Sequence, residues 1–194
     1  MNLAHGWIAR VMLAVVLLDP VSALDQRVRG ELQTMRGAPY ERIMRAATDA
    51  GNPRNLFAVM VVVAVAGGPA GPILVREAVA VLLPANLVVE GLKRAVNRTR
   101  PDGSQDRDNA SFPSSHAANV CALAYLLARR WRGAAWVAWP LAILVSFSRM
   151  WLDRHFLSDV VAGALIGVGS AWWVTRWARG AGRDWVQTGR YGKR

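Results

Sequence analysis

The chain has 194 residues, enough for one domain, and 53% of them are hydrophobic, a high share for a water-soluble protein. Its formal net charge is +11, but the basic residues lie between apolar blocks and in the tail, without a nucleic-acid-binding motif. We therefore expect contact with anionic lipid and no binding of nucleic acid. A single cysteine, Cys121, excludes an intramolecular disulfide and a cysteine-based metal site.

Hydrophobic residues are concentrated in separate blocks, which predict a membrane protein with about six transmembrane helices. The blocks are Trp7–Leu18, Leu56–Gly67, Ile73–Val89, Ala117–Ala128, Ala134–Phe147 and Val160–Trp173. Several are shorter than the roughly 20 residues that cross a bilayer, so their helices need polar flanks or tilt. The alternative is a soluble helical core, which would have to bury many Val, Leu, Ala and Trp side chains in a short chain. We predict an all-α polytopic bundle that forms a single domain over residues 1–194.

The first block precedes a segment of different character. Block 7–18 is followed by a Val-Ser-Ala site, so it fits either a cleaved signal peptide or a first transmembrane helix; the later blocks favour the helix. Residues 24–55 mix arginines and carboxylates with apolar residues at helical spacing, broken at Gly37–Pro39 and Gly51–Pro53. They predict amphipathic helices at the membrane interface, with a solvated helical hairpin as the alternative.

The third block contains two charged residues, Arg76 and Glu77. Ionisable residues inside a membrane segment by default indicate a functional position. Here we favour a place near the helix end or a structural ion pair.

Basic residues predict which ends of the helices face the cytoplasm. The fourth block ends in a basic turn that contains Arg129, Arg130 and Arg132, and the tail of residues 177–194 is also basic. If each block crosses once, the turn and the tail share one side, which the positive-inside rule makes cytoplasmic. We expect a bacterial inner membrane protein with its active site on the other, periplasmic or extracellular, face. That face would carry three segments: residues 24–55, 93–116 and 148–159.

The stretch from Ser148 to Asp159 combines an arginine, a histidine and an aspartate. His155 and Asp159 are four positions apart, so a helix would place them on one face. A carboxylate can accept the proton of one imidazole nitrogen and leave the other nitrogen bare as a nucleophile. Arg149 is suited to hold an anion in front of that nitrogen. The stretch predicts a phosphoryl acceptor; taken alone, it also fits a solvated loop with a His–Asp pair.

Two other stretches on the same face carry cations and the start of a helix. Lys93 and Arg100 are seven positions apart, and Pro101 should end their helix at Arg100. The stretch Ser111–His116 opens an apolar helical run, whose first backbone amides would form an anion site. Snorkelling basic side chains and simple serine capping are the alternatives.

Together the three stretches resemble the signature of the type 2 phosphatidic acid phosphatases (PAP2) and the related vanadium haloperoxidases. That signature has the parts K-x6-RP, PSGH and SR-x5-H-x3-D. The chain matches it in order, as Lys93…Arg100-Pro101, Pro113-Ser114-Ser115-His116 and Ser148-Arg149…His155…Asp159. The motifs cover residues 93–159, and the apolar blocks are similar to those of the six-helix membrane members.

The resemblance implies a phosphate cradle. Lys93, Arg100 and Arg149 would bind the phosphate oxygens, helped by the backbone amides of Ser114 and Ser115. The family usually has glycine where this chain has Ser115, so a serine there would be strained if the position needs a positive φ.

The resemblance also implies the chemistry. His155 would attack phosphorus to give a phosphohistidine, with Asp159 fixing its tautomer, and His116 would protonate the leaving oxygen and then activate water. The cradle cations would neutralise the charge of the transition state. No cofactor is implied, and no metal, because two histidines and Asp159 among cations would hold a divalent ion poorly.

We therefore predict an integral-membrane, metal-independent phosphatase that acts on a lipid phosphomonoester or diphosphate. A polyprenyl diphosphate such as undecaprenyl diphosphate is the favoured substrate; phosphatidic acid, phosphatidylglycerophosphate and lipid A phosphate are alternatives. A vanadate-dependent haloperoxidase and a non-catalytic phospholipid binder are alternatives of another class. The apolar blocks count against the first, since those peroxidases are soluble, and the two histidines count against the second.

Overall fold

The structure, a computed structural model, describes residues 20–104 and 110–180. Within these ranges every regular element is a helix, which confirms the predicted all-α class. The helices are α1 (20–34), α2 (Ala38–Ala50), α3 (Pro53–Ala66), α4 (Gly71–Val96), α5 (Ser115–Arg130), α6 (Ala135–Trp151) and α7 (Leu157–Gly180). The first apolar block and residues 181–194 of the predicted tail lie outside the described residues.

α5 is the central helix and packs against α4, α6 and α7. Its packed face is built largely from alanine, which lets its neighbours approach closely. α7 approaches α5 closely, since a Cβ on Gly163 would lie 2.3 Å from the carbonyl oxygen of Ser114. A Cβ on Gly167 would lie 2.0 Å from the carbonyl oxygen of Ala118. Small residues at such contacts are typical of helix pairs in membranes.

Three helical segments of the described chain are long and apolar enough to cross a membrane. They are Gly68–Val96, Arg132–Trp151 and Leu157–Gly180. α3 is apolar but shorter, so the predicted number of six spans is not confirmed. Large apolar side chains point outward from these helices, among them Val65 at 82% and Trp136 at 84% exposure. An outer surface of this kind suits lipid better than water.

The predicted breaks at Gly37–Pro39 and Gly51–Pro53 are confirmed. α2 and α3 each have a proline in the first turn, where the missing N–H costs no intrahelical hydrogen bond. The side chain of Asn52 caps α3 by accepting a hydrogen bond from the Arg54 N–H at 3.0 Å.

The α1–α2 hairpin is docked on the bundle. Leu32 of α1 and Met44 of α2 form a buried cluster with Trp151 at the end of α6. The hairpin therefore covers the end of α6 that carries Arg149, which the sequence patterns alone do not indicate.

Glu77 of α4 is buried in a structural ion pair, as the sequence analysis favours. Both of its carboxylate oxygens accept from Nη1 of Arg130, at 3.0 and 3.1 Å. The pair joins the start of α4 to the end of α5. At the other end of the bundle α4 and α6 end where α5 and α7 begin, so the three sequence motifs meet there.

Candidate active site

The helix that carries the first motif ends earlier than the sequence predicts. α4 ends at Val96, because Asn97 adopts a left-handed conformation (φ 45°) and donates its N–H to the Lys93 carbonyl at 2.9 Å. Asparagine tolerates this conformation better than most residues. Lys93 therefore lies in the last helical turn and Arg100 in the following loop, and both side chains are buried.

The second motif begins α5. Ser114 is the N-cap, and its Oγ accepts from the Ala117 N–H at 3.4 Å. Its own N–H donates to the Asp159 carbonyl at 3.0 Å, so this amide is already used and differs from the free anion-binding group that we expected. Ser115 is the first helical residue and is not among the residues with positive φ, so serine at the family's glycine position is not strained.

The third motif holds His155 just before α7. Its Nδ1 lies 2.7 Å from the carbonyl oxygen of Ser111 and 3.9 Å from Oδ2 of Asp159. The second distance is too long for a hydrogen bond. Since a carbonyl can only accept, Nδ1 carries the proton and Nε2 is left with its lone pair. The direct partner that fixes the tautomer is thus Ser111 and not, as expected, Asp159.

Asp159 is fully buried and its carboxylate is engaged elsewhere. Oδ1 accepts from Nη1 of Arg98 at 2.6 Å, and Oδ2 accepts from Oγ of Ser111 at 2.5 Å and from the Phe156 N–H at 2.8 Å. The last bond resembles the returning half of a capping box, in which the third helical residue binds the N-cap amide. Asp159 therefore organises the start of α7 and the residue that binds His155.

Arg149 reaches the same region from the last turn of α6. Its Nη1 donates to Oγ1 of Thr48 on α2 at 2.6 Å. Its Nε is buried and has no hydrogen-bond partner among the described residues, and the same holds for Nδ1 of His116. A buried guanidinium N–H is costly unless it is paired, so an anion beside Arg149 would be stabilised.

A polar cavity of about 560 Å³ lies where the motifs meet. Its lining residues are Arg45, Thr48, Asp49, Asn52, Arg100, Ser115, His116, Arg149, Leu152, Arg154 and His155. Among the predicted site residues, Lys93, Ser114 and Asp159 are not part of this lining. Nζ of Lys93 instead lies 3.3 Å from Oε1 of Glu90.

Burial and nearby cations keep both site histidines neutral. The pKa of His116 is lowered to about 3, mainly by burial and then by the charges of Arg149, Lys93 and Arg100. The pKa of His155 lies well below its usual range, mainly because of burial and then because of the charges of Arg149 and Arg100, although its hydrogen bond to Ser111 opposes the shift. A neutral His155 is the form that can act as a nucleophile.

The contribution of several residues to the site could not be predicted from the sequence. Arg98 and Ser111 lie inside or beside the motifs, but the spacing alone gives them no role. Asp25 of α1 and Thr48 of α2 come from the segment that we interpreted as interfacial, and no local pattern connects them with the site. Only the docking of the α1–α2 hairpin brings them there.

Comparison with known proteins identifies the family. The family model of the PAP2 superfamily matches residues 74–183, and the chain belongs to this superfamily. It is similar to phosphatidylglycerophosphatase B of Bacillus subtilis, with 24% identity over 81% of this chain and 85% of that protein. It is 39% identical to the bacitracin transport permease protein BcrC of Bacillus licheniformis and 32% identical to the lipid A 1-phosphatase of Porphyromonas gingivalis. These matches cover 33% and 50% of this chain, but only 32% and 22% of those two proteins.

Solved structures confirm the fold. A transmembrane PAP2-type phosphatidylglycerolphosphate phosphatase from Bacillus subtilis superposes with a TM-score of 0.70 at 22% identity, over 90% of this chain and 94% of that one. LpxE from Aquifex aeolicus superposes with a TM-score of 0.67 at 20% identity, over 78% of this chain and 94% of that one. The described helices thus have the arrangement of a PAP2 membrane phosphatase.

Proposed function

We propose that this chain is an integral-membrane lipid phosphatase that works through a phosphohistidine on His155. The observation that carries the proposal is the environment of His155. Its Nδ1 is tied to the Ser111 carbonyl, which leaves Nε2 for a cavity that His155 shares with His116, Arg100 and Arg149. A polar cavity with a neutral imidazole among fixed cations suits an anionic phosphorus centre.

Cations would bind and neutralise the phosphate. Arg100 and Arg149 line the cavity; Lys93 does not line it, but its positive charge contributes to the lowered pKa of His116. The N–H of Ser115 lies in the first turn of α5, where amides have no intrahelical acceptor and favour an anion. Nε of Arg149 would gain the hydrogen bond that it lacks within the described chain.

In the first step the lone pair of Nε2 attacks phosphorus and the bond from phosphorus to the leaving oxygen breaks. His116 donates a proton to that oxygen. Negative charge of the bound phosphate beside His116 raises its pKa from the low value of the free site, so His116 takes up a proton from solvent when substrate binds and then passes that proton to the leaving oxygen. The product is a phosphohistidine, whose positive charge is stabilised by the hydrogen bond from Nδ1 to Ser111.

In the second step His116, now neutral, accepts a proton from water. The water oxygen attacks phosphorus, the P–N bond breaks, and inorganic phosphate leaves while His155 returns to its neutral form. No step requires a metal ion, since the cations take up the charge of the equatorial oxygens. Metal independence is part of the proposal.

A lipid diphosphate or monophosphate is the proposed substrate class. Phosphatidylglycerophosphatase B and lipid A phosphatases are among the relatives, and outward apolar side chains surround the helices that frame the site. Arg45 and Arg154 add positive charge to the cavity beyond the motif cations. We keep a polyprenyl diphosphate as the favoured substrate, with phosphatidic acid, phosphatidylglycerophosphate and lipid A phosphate as alternatives.

We also propose a location in the bacterial inner membrane with the site on the periplasmic or extracellular face. Arg129, Arg130, Arg132, Arg176 and Arg179 all lie at the end of the bundle opposite the site. The positive-inside rule assigns such an end to the cytoplasm.

Phosphate release from a panel of lipid phosphates and diphosphates tests the function. Detergent-purified native protein with a chelator present should release phosphate from at least one lipid. His155→Ala should lower the rate at least about 1000-fold. Arg149→Gln should lower it about 100-fold, since one charge-stabilising donor is lost. Arg94→Gln, which removes an exposed arginine of the same helix as Lys93, is the matched control and should behave as native.

Two results would contradict the proposal. Activity that survives His155→Ala would exclude the histidine mechanism, and activity that the chelator abolishes and added metal restores would exclude metal independence. Halide oxidation that requires added vanadate, without phosphate release from any lipid, would instead favour the haloperoxidase.

A further inference from the structure

Arg98 lies inside the first motif, at a position that the motif leaves open, and its side chain joins several buried groups. Nη1 donates to Oδ1 of Asp159 at 2.6 Å and to Oγ of Ser158 at 2.7 Å. Nη2 donates to Oδ2 of Asp25 at 2.8 Å. The guanidinium carbon also lies 4.2 Å from the centre of the Phe156 ring. One side chain thus connects α1, the loop after α4 and the start of α7.

Asp25 holds the same helix start from α1. It is 2% exposed, and its Oδ1 accepts from the Ser158 N–H at 2.9 Å while its Oδ2 accepts from Oγ of Ser158 at 2.5 Å. Ser158 is the second residue of α7, so its N–H has no intrahelical acceptor. A carboxylate at this place also interacts favourably with the positive end of the helix dipole. α1 therefore fixes the N-terminus of α7 through one buried acid.

Ser111 is the point at which this network reaches the nucleophile. Its N–H donates to the Arg98 carbonyl at 2.8 Å and its Oγ donates to Oδ2 of Asp159 at 2.5 Å. Its carbonyl oxygen accepts from Nδ1 of His155 at 2.7 Å. The acceptor that orients His155 is thus held through the backbone of Arg98 and through the carboxylate that the Arg98 side chain binds.

We propose that Arg98 and Asp25 are positioning residues that align His155 for in-line attack, acting through Asp159 and Ser111. The inference rests on the proposed phosphatase function. Its physical reason is that Nε2 must lie on the line of the breaking P–O bond, where a shift of about 1 Å costs up to about 100-fold in rate. Arg98 also pairs with two buried carboxylates, Asp25 and Asp159, whose charges would be costly without a cation.

Steady-state kinetics of four variants tests the proposal. Arg98→Gln and Asp25→Asn should each lower kcat about 10- to 100-fold. KM and the inhibition constant of inorganic phosphate should stay within about twofold of native, because the cavity cations remain in place. Arg98→Lys keeps the charge and should recover part of kcat. Arg94→Gln, an exposed arginine four positions earlier, is the control and should be unchanged.

The double variant Asp25→Asn/Arg98→Gln tests whether the two residues act through one network. If both residues align His155 through one network, the loss of kcat in the double variant should be no greater than the loss in the more impaired of the two single variants. If Arg98→Gln does not fold, Asp25→Asn and Arg98→Lys decide the question by the same measurements.

Variants whose kcat matches that of Arg94→Gln would overturn the inference, as would a raised KM with native kcat. Independent, multiplying losses in the double variant would overturn the single network. A native protein that releases no phosphate from any lipid would instead count against the proposed function itself, so the two failures are distinguishable.

Discussion

At the scale of single residues, the candidate site contains two histidines whose lowered pKa values keep them neutral in the free protein. Both are lowered in pKa by burial and by the cations around them. Their folded-state pKa values lie below the unfolded value of about 6.5. Below that pH the unfolded chain therefore binds more protons than the folded chain, and the free energy of unfolding falls as pH falls.

We predict that the protein loses thermal stability between about pH 7 and about pH 5, and that His116→Asn loses less. Each neutral buried histidine contributes up to about 1.4 kcal/mol per pH unit to this loss. The measurement is the melting temperature in detergent at both pH values. Asp153 also contributes to the pH dependence of stability. Burial opposes the shift, but hydrogen bonds from Arg36, Arg29 and Gln33 lower its pKa. This contribution is the same in the native protein and in His116→Asn. Equal losses in native and His116→Asn would show that His116 is not held neutral by the fold.

Sequence reasoning predicts the residues of this site better than their partners. Fixed spacing indicates His116, His155 and the cradle cations, because each motif is local. The partner of His155 is not local. Asp159 lies four positions after His155, the spacing of two residues on one helix face. The helix begins only after His155, however, and Nδ1 donates to the Ser111 carbonyl instead of to Asp159.

At the scale of helices, the close approach of α7 to α5 sets the distance between the two histidines. Gly163 lies against the Ser114 carbonyl, two residues before His116, and Gly167 lies against the next turn of α5. The neighbouring atoms are backbone, which cannot rotate away as a side chain can. A methyl group at either glycine must therefore separate the helices.

We predict that Gly163→Ala and Gly167→Ala each lower the free energy of unfolding by about 1–3 kcal/mol, the usual cost of overpacking. Gly163→Ala should also lower phosphate release, because it displaces Ser114 and His116 from the start of α7. Gly169→Ala is the matched control on the same helix, since no atom lies within 4 Å of a Cβ there. If all three variants show the same stability in thermal melts, the close packing of α5 and α7 is not a constraint.

Helix boundaries follow from sequence where glycine and proline mark them, as between α1, α2 and α3. The end of α4 does not follow, because Asn97 ends the helix before the proline that appeared to do so. The docking of α1 does not follow either. It depends on Asp25, whose partners lie 73 and 133 positions away in the chain.

At the scale of the whole molecule, an antiparallel arrangement converts three separate motifs into one site. The C-terminal ends of α4 and α6 lie at the same end of the bundle as the N-terminal ends of α5 and α7. The cationic residues and the proposed nucleophile, His155, thus meet only in the complete fold. The opposite end of the bundle carries the basic turn after α5 and the arginines at the end of α7, and our proposal assigns that end to the cytoplasm.

The most direct test of this account is a search for the covalent intermediate. Native protein with a chelator present is mixed with a lipid phosphate labelled in its terminal phosphate and quenched within the first turnover. We predict label on the protein that is stable to alkali, labile to acid and located on His155 by peptide mapping, with none on His155→Ala. Phosphate release by the native protein without any such label, or label that persists in His155→Ala, would contradict the account.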